Sequence, residues 1–118
     1  ERDFTYIDDI VRGLTNVIEN NIVKRKKFKI YNIGNNKTIK LSDFIKTIEK
    51  AIGKKAIKEM YPMQQGDVLR TFANIDELLN DFNYSPGIDI KSGIQSFINW
   101  FINYFNIKEK DYVDYKKN

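Results

Sequence analysis

Apolar positions along the chain change their spacing several times, and each change marks an element. Residues 2–7, with Phe4, Tyr6 and Ile7, predict a short extended segment. Asp8-Asp9 then supplies an N-cap and an acidic first turn to a helix. Its Ile10, Val11, Leu14, Val17 and Ile18 fall on one face at helical spacing. Asn20-Asn21 weakens that helix, and the basic run at 24–27 reads as a solvated stretch. The segment 28–33, with Phe28, Ile30, Tyr31 and Ile33, predicts a strand. Gly34-Asn35-Asn36 is a turn of residues that tolerate positive φ. A second helix starts at Ser42-Asp43, buries Phe44, Ile45, Ile48, Ala51 and Ile52, and stops at Gly53. With a strand at 56–61 behind it, this makes a βαβ unit.

Residues 70–73 predict a further short strand. Asn74-Ile75-Asp76-Glu77 resembles a capping box, with the amide as N-cap and Glu three residues on. The short helix behind it places Leu78, Leu79 and Phe82 inward. Tyr84-Ser85-Pro86-Gly87 is a loop. The last helix runs from about Asp89, with Ile90, Ile94, Phe97, Ile98, Phe101, Ile102 and Phe105 on its inner face. The tail at 108–118 is charged, lacks periodicity and is expected to fray. No internal repeat is present.

Composition removes several chemistries. The 118 residues contain no Cys and no His. Thiolate metal sites, a Ser-His-Asp triad and a His general base are therefore excluded within this chain. A formal charge of +4 tolerates an anionic ligand without marking a nucleic-acid binder. No apolar run reaches the roughly 20 residues that a membrane helix needs. The default expectation is a soluble protein of the cytoplasm. At 118 residues, 42% of them hydrophobic, the chain suits one modest domain better than two. It opens at Glu1 without Met and enters regular structure at once, which reads as a fragment of a longer chain.

Candidate chemistry is sparse. There is no Gly-rich dinucleotide or Walker-type loop, so the chain offers no phosphate cradle of its own. Tyr104 with Lys108 and Tyr112 with Lys116 have the spacing of a reductase Tyr-Lys pair. Both lie at the charged end of the chain, and among 7 Tyr and 16 Lys such spacings arise by chance. The 24–27 run reads as solvated rather than as a phosphate-backbone contact. Tyr61, Tyr84 and Trp100 read as core or rim. Arg2 and Arg70 stand out among only four Arg, because a guanidinium offers planar paired donors suited to phosphate. The turn holding Gln64, Gly66 and Asp67 can present amide donors and a carboxylate acceptor to sugar hydroxyls. Gly-Asp is also an ordinary turn, and composition alone leaves both readings open.

Taken in order, RDFTYIDDIVRG, YNIGNN, MQQGDV, TFANID and GIQSFINWF resemble the C-terminal part of an extended short-chain dehydrogenase/reductase acting on nucleotide sugars. The match runs over residues 1 to about 105. It is nearest to the UDP-glucuronate 4-epimerases, alongside the UDP-glucose 4-epimerases. The resemblance implies an α/β fold: a few strands with about four helices, a mixed parallel sheet remnant, and a substrate-binding region at 1–107. It also implies an upstream Rossmann domain, absent from this chain, that holds NAD and the catalytic residues. The chain alone is then expected to bind no cofactor and to be inactive. The implied chemistry is transient NAD-dependent oxidation of a UDP-sugar at C4, followed by hydride return to the other face. The implied full-length enzyme is a homodimer.

By the same resemblance, Arg2 corresponds to the Arg that contacts the substrate diphosphate, and Asp67 to the carboxylate that meets the nucleotide ribose. Phe4 replaces a Tyr of the galactose epimerases, which loses a hydroxyl. Gln64 occupies the place of a phosphate-binding Arg; the glucuronate branch reads Met-Gln-Pro-Gly-Asp there, with Gln65 here in place of Pro. Arg70 can supply the missing charge. The Asn32-Ile33-Gly34 turn is expected to be structural. The alternatives are a related dehydratase, decarboxylase or reductase, or a non-catalytic binding or assembly module.

Overall fold

A computed structural model describes residues 1–20 and 28–108, so the basic run at 24–27 and the Tyr112–Lys116 pair lie outside the described residues. The described chain forms four helices: α1 Ile7–Asn20, α2 Leu41–Ile52, α3 Asp76–Phe82 and α4 Ile90–Tyr104. It divides into two compact units that interleave along the sequence. The first comprises Glu1–Ile39 and Arg70–Ile88; the second comprises Lys40–Leu69 and Asp89–Asn118. Among the described residues no helix is long and apolar enough to cross a membrane.

The first unit packs α1 against α3. Ile75, Leu78 and Tyr84 form its buried centre, with Val17, Tyr31, Ile33, Ala73 and Phe82 against them. The Tyr84 hydroxyl donates to the Gly34 carbonyl at 3.2 Å, so the one polar atom of this buried ring is satisfied. Burial also pushes the Tyr84 phenol up. A Cβ at Gly13 would sit 3.1 Å from the Tyr84 ring, so α1 lies close enough to the core that a small residue serves there.

Three extended segments meet on Asp3. Its carboxylate accepts from the backbone amides of Asn35 at 2.9 Å, Asn36 at 3.1 Å and Ala73 at 3.1 Å. Asn36 takes φ 56°, the positive region expected of this turn. The strands expected at 2–7, 28–33, 56–61 and 70–73 do not form among the described residues; a single antiparallel bridge between Arg2 and Ile39 replaces a ladder. The reason is visible in the donors. The Ala73 amide goes to a carboxylate, and Thr71 donates to the Glu1 carbonyl at 3.2 Å. The backbone of 28–33 makes no hydrogen bond with any described residue. A strand is a property of a pair, and strand-like sequence without a neighbour stays irregular. The βαβ unit therefore does not appear either.

The second unit packs α2 on α4. Asp89 caps α4, accepting from the amides of Lys91 at 2.9 Å and Ser92 at 3.1 Å. These bonds, with the Ser92 hydroxyl foremost, hold its carboxyl below the usual range. Gly53 ends α2 at φ 79°, its N–H on the Glu49 carbonyl, as expected. Helix α2 begins one residue earlier than Ser42, with Lys40 at the cap and no side-chain bond.

Other local expectations shift for identifiable reasons. Asp8 and Asp9 sit inside the first turn of α1, so neither is its cap. Asn74 lies one residue before the α3 cap, Ile75, yet its side chain still accepts the Asp76 amide at 2.9 Å. Leu79 is 40% exposed because α3, only seven residues long, turns just Leu78 and Phe82 toward the core. On α4, Ile94 and Ile98 are buried, while Phe97, Phe101 and Phe105 are exposed and contact neighbouring rings along the same helix. One partner helix covers one narrow stripe, and the remaining apolar residues stay outside it.

Candidate functional site

In the first unit, the chain start and the returning segment at 70–73 lie side by side, and both arginines collect at Glu1. The Arg2 guanidinium donates to the Glu1 carbonyl at 2.9 Å. The Arg70 Nε lies 3.5 Å from the Glu1 carboxylate, and its terminal nitrogen donates to the Thr38 hydroxyl at 3.2 Å. Thr38 in turn donates to the same carboxylate at 3.3 Å. Arg2 itself is fixed by its backbone pairing with Ile39. The structure thus brings Arg2 and Arg70 to one edge, on adjoining backbone. Arg70 is 63% exposed at its side chain, so its contact with Glu1 is a weak, solvent-screened pair that an anionic ligand can displace.

Gln64 and Asp67 belong to the second unit and share one turn there. The Asp67 amide donates to the Gln64 carbonyl at 3.2 Å, and Gly66 takes φ 89°, which the turn requires. The Asp67 carboxylate accepts the Val68 amide at 2.9 Å. Gln64, Gln65 and Asp67 are all exposed. An exposed carboxylate oriented by its own backbone suits acceptance of hydroxyl donors.

Beside the arginine edge, the first unit holds a cleft of about 440 Å³ lined by Asp3, Thr5, Tyr31, Asn32, Thr71, Phe72 and neighbours. Tyr31 is not poised as an acid or base in it. Its hydroxyl donates to Asp81 at 2.6 Å, which pushes the phenol up, while Lys29 donates to the same carboxylate at 2.5 Å. Lys29 first and Tyr31 second hold Asp81 below the ordinary carboxylate range.

Two anchoring carboxylates escaped sequence reasoning. Asp9, fully buried, accepts from Arg12 at 2.5 Å and from the amides of Gly87 at 3.1 Å and Ile88 at 3.0 Å. It is thus the anchor of the 85–88 loop. Asp3 gathers the amides already described. The signal was only an acid next to an apolar stretch, which is too common to single out. Tyr104 stacks on Trp100 with ring centroids 5.2 Å apart, so the structure gives that ring a packing contact.

Among the described residues the helix starts carry Asp8 and Asp9, Asp43, Asp76 and Glu77, or the Asp89 cap. Carboxylates at these positions repel the pyrophosphate that a helix N-terminus would otherwise attract. No group of three or more acidic residues there could hold a metal ion.

No protein-family model matches the chain. UDP-glucuronate 4-epimerase 6 of Arabidopsis thaliana is 33% identical over 119 residues, covering 92% of this chain and 26% of that protein. The crystal structure of UDP-glucuronic acid 4-epimerase from Bacillus cereus, in complex with UDP-glucuronic acid and NAD, superposes with TM-score 0.74 at 29% identity. That match covers 86% of this chain and 32% of the epimerase chain. Over most of its length the chain is similar to UDP-sugar 4-epimerases. UDP-glucose 4-epimerase from Bifidobacterium longum, in complex with NAD+ and UDP, shares the fold with TM-score 0.77 at 22% identity, covering 88% of this chain and 30% of its own. The epimerase match fits the α/β class, although the described residues themselves form helices and irregular chain. The chain spans about a third of the length of the curated relatives it matches.

Proposed function

We propose that this chain is the substrate-binding portion of an NAD-dependent nucleotide-sugar epimerase that interconverts UDP-sugars at C4. The observation that carries the reading is the match to an epimerase structure that holds UDP-glucuronic acid, over 86% of this chain. The arginine edge supports it from the chemistry. In this reading Arg2 and Arg70 of the first unit neutralise the diphosphate, while on the second unit Asp67 accepts from the ribose and Gln64 offers an uncharged donor. Charge-assisted bonds of this kind are the strong ones in a solvent-facing site. Anchoring the remote nucleotide leaves the sugar free to present either face of its ring. In this reading hydride chemistry belongs to residues outside this chain.

UDP titrated into the 118-residue chain and followed by calorimetry tests the assignment. Arg2→Ala and Asp67→Ala should each weaken binding by roughly tenfold or more, because each removes a hydrogen bond to or from a charged group. Circular dichroism checks that each variant keeps its fold. Unchanged affinity in both variants would remove these residues from the site.

A further inference from the structure

We propose that Arg70 and Thr38 form a phosphate seat that the Glu1 carboxylate occupies from within the chain, so that Glu1 is a built-in competitor setting how tightly the diphosphate of a nucleotide sugar is held. The inference rests on the reading above for the identity of the anion. It adds a ligand residue, Thr38, and a competitor, Glu1.

The first observation is the donor set, all of it within the first unit. One oxygen of the Glu1 carboxylate lies 3.5 Å from the Arg70 Nε and accepts from the Thr38 hydroxyl at 3.3 Å. The Arg70 Nη2 donates to that same hydroxyl at 3.2 Å. Both tines of the guanidinium fork are thus turned toward one carboxylate, one directly and one through a hydroxyl that donates onward. A phosphate oxygen takes the same donors as a carboxylate oxygen, and a planar fork beside a hydroxyl suits either.

The second observation is that the backbone around this seat is held without the Glu1 carboxylate. The Glu1 carbonyl accepts from the Thr71 amide at 3.2 Å and from the Arg2 guanidinium at 2.9 Å. Arg2 and Ile39 exchange both backbone bonds, at 3.0 and 2.9 Å. Thr38 directly precedes that bridge, and Arg70 directly precedes Thr71. The Glu1 side chain can therefore turn away while the main chain under Thr38 and Arg70 stays in place. A seat of this kind is preorganised, and only its occupant exchanges.

Charge decides which occupant wins. The side chains of Arg70 and Glu1 are 63% and 37% exposed, so their pair is screened by solvent and weak. A diphosphate brings more charge and more acceptor oxygens than one carboxylate, and displaces it. The displaced carboxylate stays attached beside the bound anion, where like charge opposes binding. Glu1 therefore lowers affinity both before and after the exchange.

Calorimetry with inorganic pyrophosphate on the 118-residue chain tests the seat. Glu1→Gln keeps the size of the side chain and removes its charge, and should tighten pyrophosphate binding about three- to fivefold, the scale of an exposed ion pair. In an Arg70→Ala chain the same Glu1→Gln change should give no gain, because the contested cation is gone. In the Glu1→Gln chain, Thr38→Val should weaken pyrophosphate binding about fivefold or more, since a donor to a charged oxygen is lost. Thr38→Ser keeps the hydroxyl and should retain the affinity, which separates the donor from packing at this half-buried position. Circular dichroism and melting read the folding of each variant. Unchanged or weaker binding by Glu1→Gln, an equal gain in the Arg70→Ala chain, indifference to Thr38→Val, or no binding of pyrophosphate to the Glu1→Gln chain would each overturn the proposal. UDP titrated alongside tests the reading on which it rests. A chain that shows the full pattern with pyrophosphate yet holds UDP no tighter keeps the seat and loses the nucleotide.

Discussion

Gly34 shows how tightly the first unit is drawn together. A Cβ there would lie 2.4 Å from the Ala73 Cβ and 3.0 Å from an Asp3 carboxylate oxygen, so Gly34→Ala forces the 70–73 segment or the Asp3 cluster to move. We expect a loss of about 1–3 kcal/mol in urea unfolding, the usual cost of overpacking a tight site. An unchanged midpoint would show that the segments are not in contact. At this scale the sequence revealed what is encoded locally. The positive φ of Asn36 and the stop at Gly53 follow from residue type. Asp3 and Asp9 could not be seen the same way, because the backbone amides they gather lie 32 to 79 residues away along the chain.

Elements depend on what they pack against, and α2 carries a clear pH signature. Its buried Glu49 accepts the Ala56 amide at 3.0 Å, with Lys58 at 3.2 Å and Lys55 at 3.4 Å. The amide bond first, then the two lysines, lower its pKa to about 2 from an ordinary 4.5. A carboxyl depressed in the folded state contributes stability above its unfolded pKa and loses it as pH falls. Stability should therefore decline between about pH 4.5 and 2, and Glu49→Gln should flatten that part of the profile in urea titrations. A parallel slope in both proteins would deny Glu49 the role. The segment at 56–61, where a strand was expected, begins with an amide held by this side chain. Helix positions were legible from the 3.6-residue period. Their exposed faces were not, because apolar spacing names the residues that can be buried, and the neighbouring helix decides which of them are.

For the whole molecule, the family reading implies binding without chemistry. The 118-residue chain mixed with NAD and either UDP-glucuronate or UDP-glucose should give no epimerised product by chromatography of the nucleotide sugars. Conversion by the chain alone would overturn the division of labour proposed here. The candidate site was partly legible: Arg2, Gln64, Asp67 and Arg70 were chosen from residue type and resemblance. Only the folded chain shows Arg2 and Arg70 meeting at Glu1, since 68 residues of sequence separate them. By itself, the sequence determined four helices, their turns and the exclusion of Cys and His chemistry, all of which depend on neighbours within a few residues. Tertiary structure decided the division into two interleaved units, the Asp3 and Asp9 anchors and the failure of the strand-like segments to pair. These depend on which distant backbone groups find a partner, and local sequence carries no record of that.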